Sequence, residues 1–289
     1  MPEVRLNGIE INYVDRGAGD VILLIHNVVA DLTTFDDDMA ILEKHFRVIA
    51  CDLRGHGATT HEDDQARAPS FYTFENIAED ITQLLDHLQV DRFTLVGQAY
   101  WGSSTAAHLF HRHPSRIDGI VLAACDLIAV DEGAEPYSGL GEQAIRNFER
   151  MIGLARKKGM MGVYEERLRS QTFWGSTVLR SPEILGRFEA MHRRTSAAAF
   201  ANFPRFRRET LNEVLVKLEQ HRTPLMMLMG VEDSHNEPMM ANMRKLHPAT
   251  HIALLAFCGH YPSIENPQDF SAAILNFTAG AIRSRQQWD

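Results

Sequence analysis

Six short, almost continuously apolar runs recur along the chain, and longer helix-like stretches separate them. The runs cover residues 21–25, 48–50, 93–96, 119–123, 225–229 and 252–257. Runs of this kind are typical of strands buried on both faces, as in a parallel sheet covered by helices. Between two of them, residues 73–88 keep their apolar side chains on one helical stripe, and Thr73 is placed to cap that helix. The alternation predicts an α/β protein with a mostly parallel, doubly wound sheet.

Two segments depart from this alternation. Near the start, residues 9–13 alternate apolar and polar side chains with period two, which predicts a half-exposed antiparallel edge strand. From about residue 131 to 220 no buried strand is apparent, and the amphipathic segments 141–158, 163–171 and 184–194 predict helices. Because this stretch is too long for one crossover, we expect a helical insertion that packs over the carboxyl edge of the sheet.

The composition limits the class of protein. The chain has 289 residues, with 29 basic and 38 acidic side chains and a formal net charge of −9. This acidic balance disfavours nucleic acid or an anionic membrane as the main partner, and no apolar run approaches the ~18 residues of a membrane span. The start lacks a signal-peptide pattern, and Cys51, Cys125 and Cys258 have neither disulfide nor metal spacing. We therefore expect a cytoplasmic protein that binds a small molecule and needs no metal or cofactor.

Residues that could carry chemistry follow the predicted strands. In an open α/β sheet, ligands bind beyond the carboxyl ends of the strands. Those places hold HNVV at 26–29, DLRGHG at 52–57, GQAYWG at 97–102, GVED at 230–233 and CGHYP at 258–262. Together, in this order, the five motifs resemble those of the α/β-hydrolase superfamily over nearly the whole chain, and in particular its capped esterases, lactonases and carbon–carbon hydrolases. The resemblance implies a core at 1–127 and 221–282, a helical cap at 128–220 and a polar tail at 283–289.

The resemblance also implies a catalytic histidine and its carboxylate partner. It makes His260 the residue that transfers protons and Asp233 the acid that orients it, with Asp126 as a reserve acid after an earlier strand. An imidazole can take and return a proton near neutral pH. A carboxylate on its far nitrogen fixes the tautomer and stabilises the imidazolium. The neighbouring Glu232 leaves the choice of acid open at this point.

The nucleophile motif departs from the family pattern. The family's strand-to-helix turn is G-x-S-x-G, with the serine as nucleophile. Counting forward from Gly97 places Ala99 at the serine position, whereas counting back from the following helix places Tyr100 there, with one extra residue in the loop. Alanine cannot form a covalent adduct, and a tyrosine hydroxyl with a pKa of about 10 is a poor acyl carrier. Ser103 and Ser104 lie further into the predicted helix, which disfavours either as a substitute.

The turn after the first parallel strand is altered as well. His26 and Asn27 stand where the family usually has His-Gly, and asparagine tolerates a left-handed backbone better than most residues. The resemblance implies that the backbone N–H groups of Val28 and of the residue after the nucleophile position hold negative charge developing on a substrate oxygen. Asn27 is either a further donor or a turn residue only. His26 and Trp101 are expected beside the substrate.

Three functional hypotheses follow. In the first, His260 and Asp233 act as a general base on water or on an acidic substrate proton without a serine nucleophile. Lactones, esters, β-dicarbonyls and hydroxylated aromatics would suit such a site, and apolar residues of the insertion such as Trp174 favour an apolar or aromatic substrate. In the second, the chain is a conventional serine esterase or lactonase whose nucleophile has been replaced. In the third, it binds a ligand without catalysis. The sequence leaves open whether the protein is a homodimer.

Overall fold

One mixed sheet lies at the centre of the fold. The computed structural model describes residues 2–59, 68–125, 127–132, 142–171, 174–202 and 204–286, and within them eight strands form this sheet. The strands are β1 (Glu3–Leu6), β2 (Ile9–Arg16), β3 (Val21–Ile25), β4 (Arg47–Cys51), β5 (Phe93–Gln98), β6 (Ile117–Ala123), β7 (Leu225–Gly230) and β8 (His251–Leu255). Their order is β1-β2-β4-β3-β5-β6-β7-β8, and only the pairings made by β2 are antiparallel. The predicted doubly wound, mostly parallel sheet is therefore confirmed.

The strand order creates a crevice where ligands of open α/β sheets bind. The chain passes from β3 to β4 on one side of β3 and later returns to β5 on the other side. The carboxyl ends of β3 and β5 therefore flank the point at which the winding reverses. Ile25 pairs with Gly97 in this register, which brings the HNVV turn and the GQAYWG turn side by side.

Two strand predictions need correction. Residues 9–13 lie in β2, which is an inner strand, because β1 pairs on its outer side and forms the edge. The run at 252–257 was expected to be buried on both faces, but β8 is the opposite edge and Leu254 is 51% exposed. Strand neighbours are set by contacts between distant parts of the chain, and hydropathy along one segment does not reveal them.

Helices cover both faces of the sheet and fill the interval between β6 and β7. They are α1 (Asp36–Leu42), α2 (Phe74–His87), α3 (Ala99–Arg112), α4 (Glu142–Ser170), α5 (Ser176–Arg180), α6 (Pro182–Arg193), α7 (Ala197–Ala201), α8 (Arg208–His221), α9 (Asn236–Leu246), α10 (Pro262–Glu265) and α11 (Pro267–Gln286). Thr73 caps α2 as predicted, because its side chain accepts a hydrogen bond from the N–H of Asn76. Helix α4 bends at Gly159, whose φ is +67°. None of the helices in the described parts of the chain is long and apolar enough to cross a membrane.

Helices α4 to α7, called here the helical insertion, contact the loops at the carboxyl edge of the sheet. Arg194 pairs with the buried Asp31 at 2.7 Å, and the N–H of Ser196 donates to the carbonyl of Gly55 at 2.8 Å. Helix α8 instead packs against α3, where the Nζ of Lys217 donates to a backbone carbonyl. The insertion thus lies over the crevice, and the domain boundaries inferred above remain a proposal.

A buried carboxyl group between α1 and α11 gives a stability prediction. Asp38 is fully buried; its Oδ1 accepts a hydrogen bond from Ser271 at 2.8 Å, and its Oδ2 has no partner among the described residues. Burial raises the pKa of Asp38 well above its ordinary value. The folded protein thus keeps this proton over a pH range in which the unfolded chain has lost it, so the stability contributed by Asp38 falls as pH rises through that range.

We expect Asp38→Asn to raise the free energy of unfolding by roughly 1–2 kcal/mol at mildly alkaline pH, since an uncharged amide replaces a poorly solvated carboxylate. The gain should shrink as pH falls towards the ordinary pKa of aspartate. Urea denaturation at several pH values measures both effects. The exposed Asp91 serves as the control, and Asp91→Asn should change little. A variant at Asp38 that is less stable than the parent at alkaline pH would contradict the prediction.

Candidate active site

The turn between β5 and α3 holds an alanine in a strained backbone conformation. Ala99, the first residue of α3, has a φ of +50°, in the left-handed region that non-glycine residues seldom adopt, whereas Tyr100, the next residue of the helix, does not have a positive φ. The turn is also tightly packed. A Cβ on Gly97 would lie 2.3 Å from the carbonyl oxygen of Gly102, and one on Gly102 would lie 2.4 Å from that of Ile25. Of the two candidates, Ala99 therefore holds the strained position.

Neither Tyr100 nor the nearby serines are placed as nucleophiles. The Tyr100 hydroxyl accepts a hydrogen bond from the backbone N–H of Phe206 at 3.1 Å, and burial raises its pKa far above the usual value. Ser103 is fully buried and donates to the carbonyl of Gly97 at 3.2 Å. Ser104 is buried within the same helix. The hydroxyl groups of Tyr100 and Ser103 thus make local hydrogen bonds, and that of Ser104 is enclosed in the packing of the helix.

His260 and Asp233 form a buried pair. The Nδ1 of His260 lies 2.7 Å from Oδ2 of Asp233, and the two residues are 8% and 5% exposed. Burial alone would raise the pKa of Asp233, but the charge of His260 and hydrogen bonds from His235 and His260 outweigh it and hold that pKa well below the ordinary value. Asp233 is therefore a carboxylate at neutral pH and keeps the proton of the ring on Nδ1.

The other candidate acids take different places. Glu232 is exposed and accepts a hydrogen bond from the N–H of Ser176 at 2.8 Å, so its carboxylate is directed to the helical insertion. Asp126, the reserve acid, lies outside the described residues. The geometry among the described residues thus pairs His260 with Asp233.

A second histidine shares the same carboxylate. Oδ1 of Asp233 accepts a hydrogen bond from the backbone N–H of His235 at 3.0 Å and lies 3.2 Å from Nδ1 of that ring. His235 is half-buried. Both oxygens of Asp233 are therefore engaged, which fixes the plane of the carboxylate that faces His260. His235 was not among the predicted site residues, although a histidine two residues after the acid was an available signal.

Glu265 holds the backbone on both sides of His260. Its Oε2 accepts from the N–H of Gly259 and its Oε1 from the N–H of Tyr261, each at 3.0 Å. Burial is the larger influence on this carboxyl group and raises the pKa of Glu265 despite these hydrogen bonds. Both N–H groups flank the histidine, so the loop that carries it has one fixed course. This role was also missed, although the glutamate follows His260 by only five positions in the sequence.

A hydrogen bond joins the loop that carries His260 to the turn between β5 and α3. Oγ of Ser263 donates to Oε1 of Gln98 at 3.1 Å, and Gln98 immediately precedes Ala99. Ser263 is three residues beyond His260. The turn at Ala99 and the loop of His260 therefore belong to one site at the carboxyl edge of the sheet.

The turn after β3 supplies the candidate oxyanion donors. The N–H of Ala30 donates to the carbonyl of Asn27 at 3.3 Å, and Val29 has a φ of +61°, so 27–30 form a tight turn with a valine where glycine is usual. The side chain of Asn27 accepts from the N–H of Trp101 at 3.4 Å. Asn27 thereby ties this turn to the start of α3.

His26 and Trp101 are parts of the scaffold. Both ring nitrogens of His26 bond within the protein, Nδ1 with the carbonyl of Asn27 at 2.7 Å and Nε2 with the N–H of Leu53 at 2.9 Å. Trp101 is fully buried and packs edge-on against His56 at 5.0 Å. Neither side chain is therefore placed as the substrate neighbour that the sequence analysis expected. Among the described residues, no three His, Cys, Asp or Glu side chains form a metal-binding group.

Comparisons with known proteins agree with this fold. A family profile described as the α/β hydrolase fold matches residues 22–180. The 2-hydroxy-6-oxo-2,4-heptadienoate hydrolase of Pseudomonas putida is 27% identical over 285 residues, which is 96% of this chain and 95% of that protein. A carboxylesterase of Nitrososphaera gargenis superposes with a TM-score of 0.81 at 19% identity, over 98% of this chain and 100% of that one. The enol-lactonase of Burkholderia xenovorans LB400 gives a TM-score of 0.74 at 22% identity, over 96% and 100%.

Proposed function

We propose that this chain, which belongs to the α/β hydrolase fold family, is an enzyme in which His260 acts as a general base without a serine nucleophile. The observation that carries the proposal is the 2.7 Å contact between His260 and Asp233, beside a turn whose apex is Ala99. A base oriented in this way supplies about 10²- to 10⁴-fold of rate enhancement in enzymes generally. Alanine leaves no oxygen at the apex for an acyl intermediate.

The chemistry proposed for the site needs only groups of this chain and water. Nε2 of His260 takes a proton from water, or from an acidic carbon of the substrate, while Asp233 stabilises the imidazolium that forms. The N–H groups of Val28 and Tyr100 are the donors for the negative charge that develops on the substrate oxygen. Tyr100 follows Ala99 in the first turn of α3, and the N-terminal end of a helix favours negative charge.

Activated carbonyl compounds are the proposed substrates. The relatives named above support this class, because the Pseudomonas putida protein is a hydrolase of an oxo-dienoate and structural neighbours include a carboxylesterase and an enol-lactonase. Esters and lactones have a carbonyl carbon that water can attack. β-Dicarbonyls have in addition an acidic C–H bond between their carbonyl groups. The aromatic side chains of the helical insertion near Tyr261 favour apolar or aromatic examples.

Intact-protein mass spectrometry during turnover tests the proposal. Aryl esters, lactones and β-diketones are incubated with the parent chain, and product formation and deuterium uptake from D₂O are followed together. We expect product or exchange above the buffer rate with no acyl adduct on the protein. An adduct on any residue, or no reaction with the whole panel, would reject base catalysis without covalent attachment.

A second candidate function is favoured by the backbone of Ala99. Its left-handed φ of +50° matches the strained turn that carries the serine in the family's G-x-S-x-G motif. An alanine side chain has no chemical need for this strained conformation. This fits a serine esterase or lactonase whose nucleophile has been replaced. Restoring the hydroxyl group at position 99 tests whether this turn is a vacant nucleophile site.

A further inference from the structure

A buried arginine in the helical insertion has no carboxylate partner among the described residues. Arg167, on α4, is only 3% exposed. Its two terminal nitrogens contact uncharged acceptors, Tyr261 Oη at 2.5 Å and His192 Nε2 at 3.3 Å. The adjacent Glu166 is directed elsewhere, to Arg150 and Arg169. A fully buried guanidinium without an anion is rare, because the desolvation of its charge is not offset.

The groups around Arg167 offer uncharged hydrogen-bond acceptors and aromatic faces. Burial, together with the charge of Arg167, lowers the pKa of His192 to about 3, so this ring is neutral. The guanidinium carbon lies 5.5 Å from the ring centres of Trp174 and Tyr261. Aromatic faces stabilise a cation only in part. The positive charge therefore remains undercompensated within the described structure.

Two buried donors beside this charge also lack acceptors. Nε of Arg167 and Nε1 of Trp174 have no hydrogen-bond partner among the described residues, and Trp174 is only 8% exposed. An unsatisfied buried donor costs roughly 1–3 kcal/mol. One planar oxyanion could accept from both donors and neutralise the guanidinium.

The position of this cluster connects it with the site of His260. Tyr261 follows His260 in the chain, and its ring centre is 5.5 Å from the ring centre of His260. The same Tyr261 accepts the hydrogen bond of Arg167 through its hydroxyl. Only one side chain therefore separates the undercompensated charge from the proposed base.

We propose that Arg167 and Trp174 form a carboxylate subsite, and that the substrate of the neighbouring site carries a carboxylate. This inference rests on the proposed function in one respect, namely that the substrate binds beside His260. The carboxylate accepts from Nε of Arg167 and from Nε1 of Trp174, while the reacting carbonyl lies towards His260. Neutral substrates of the same shape leave both donors unsatisfied and bind more weakly.

Thermal melting and calorimetric titration with benzoate test the subsite without any need for turnover. Benzamide is the neutral probe of matched shape. Arg167→Met removes the charge and keeps an unbranched apolar side chain, and Trp174→Phe removes the indole N–H donor while keeping an aromatic ring. Arg169→Met is the matched control, because Arg169 lies on the same helix with its side chain 70% exposed.

We expect benzoate, and not benzamide, to raise the melting temperature of the parent and of Arg169→Met. Arg167→Met should bind benzoate about 10- to 100-fold more weakly, as loss of a charge-assisted contact implies, and Trp174→Phe should show a smaller loss. Without benzoate, Arg167→Met should melt at or above the parent temperature, since a neutral side chain replaces an unpaired buried charge.

Three results would overturn the proposal. Benzoate affinity could be unchanged in Arg167→Met, or it could fall equally in Arg169→Met. Chloride could stabilise the parent as strongly as benzoate does at equal concentration, which would make this a site for an inorganic anion. These results do not depend on catalysis. If benzoate binding needs Arg167 but no carbonyl compound is turned over, the proposed function fails and the subsite stands.

Discussion

Ala99→Ser should hydrolyse short p-nitrophenyl esters at least about 100-fold faster than the parent chain. The backbone at position 99 already has the left-handed conformation of a nucleophile turn, so a serine there needs no rearrangement of Gly97 or Gly102. Its hydroxyl would lie at the edge of the sheet that carries His260. An attacking serine assisted by a histidine contributes far more than this factor in serine hydrolases, which makes the expected gain a lower bound.

The matched control moves the hydroxyl by one position. Tyr100→Ser should give no comparable gain, because residue 100 lies within α3 and its present hydroxyl contacts the backbone of Phe206. Release of p-nitrophenol measures the rates, and an acyl adduct on the Ala99→Ser protein would identify the nucleophile. If this protein folds but neither gains activity nor forms an adduct, the turn is not a vacant nucleophile site.

His260→Gln should lower the turnover of any substrate found for the parent chain by about 10²- to 10⁴-fold. Glutamine retains a polar group near Asp233 but cannot take up a proton. Because the loop is held through Glu265 and the backbone of its neighbours, we expect the variant to fold with unchanged secondary structure. Steady-state kinetics should show the loss mainly in kcat, since the ring acts on the reacting atoms.

His235→Gln provides the comparison for this loss. His235 contacts the outer oxygen of Asp233, so its replacement should reduce turnover by no more than about 10-fold, while the pair of His260 and Asp233 remains. Equal losses in the two variants would mean that His260 has only a positioning role. Parental turnover in His260→Gln would remove the basis of the proposed mechanism.

Local sequence patterns predicted most of the architecture. The run at 21–25 coincides with β3, and Thr73 caps α2 as its side chain predicts, because burial and capping are properties of short segments. The lateral order of the strands in the sheet cannot be predicted from such short segments. The apolar pattern of β8 does not show that it is an edge strand, and the alternation at 9–13 does not show that β1 lies outside it.

The candidate site was predictable where motifs fall directly after strands. The resemblance to the α/β-hydrolase superfamily, together with their positions after β8 and β7, singled out His260 and Asp233, and the structure brings them together. The choice between Ala99 and Tyr100 depended on a backbone angle that residue identity does not determine. Arg167 had no signal, because an arginine in an amphipathic helix usually faces solvent, and only the packing of α4 shows that it is buried.

The ion pairs that join the helical insertion to the core have a dynamic consequence. Arg187 pairs with Asp37 and Arg194 pairs with Asp31, so α6 is fastened to the segment after β3 at two points. For the enzyme proposed above, ligand entry and product release would then involve motion of this layer, a class of motion that is commonly slower than the chemistry it encloses. Salt screens exposed charges more than buried ones, and Asp37 is 50% exposed whereas Asp31 is 2% exposed. Higher ionic strength therefore weakens the contact between the helical insertion and the core first at the ion pair of Arg187 and Asp37.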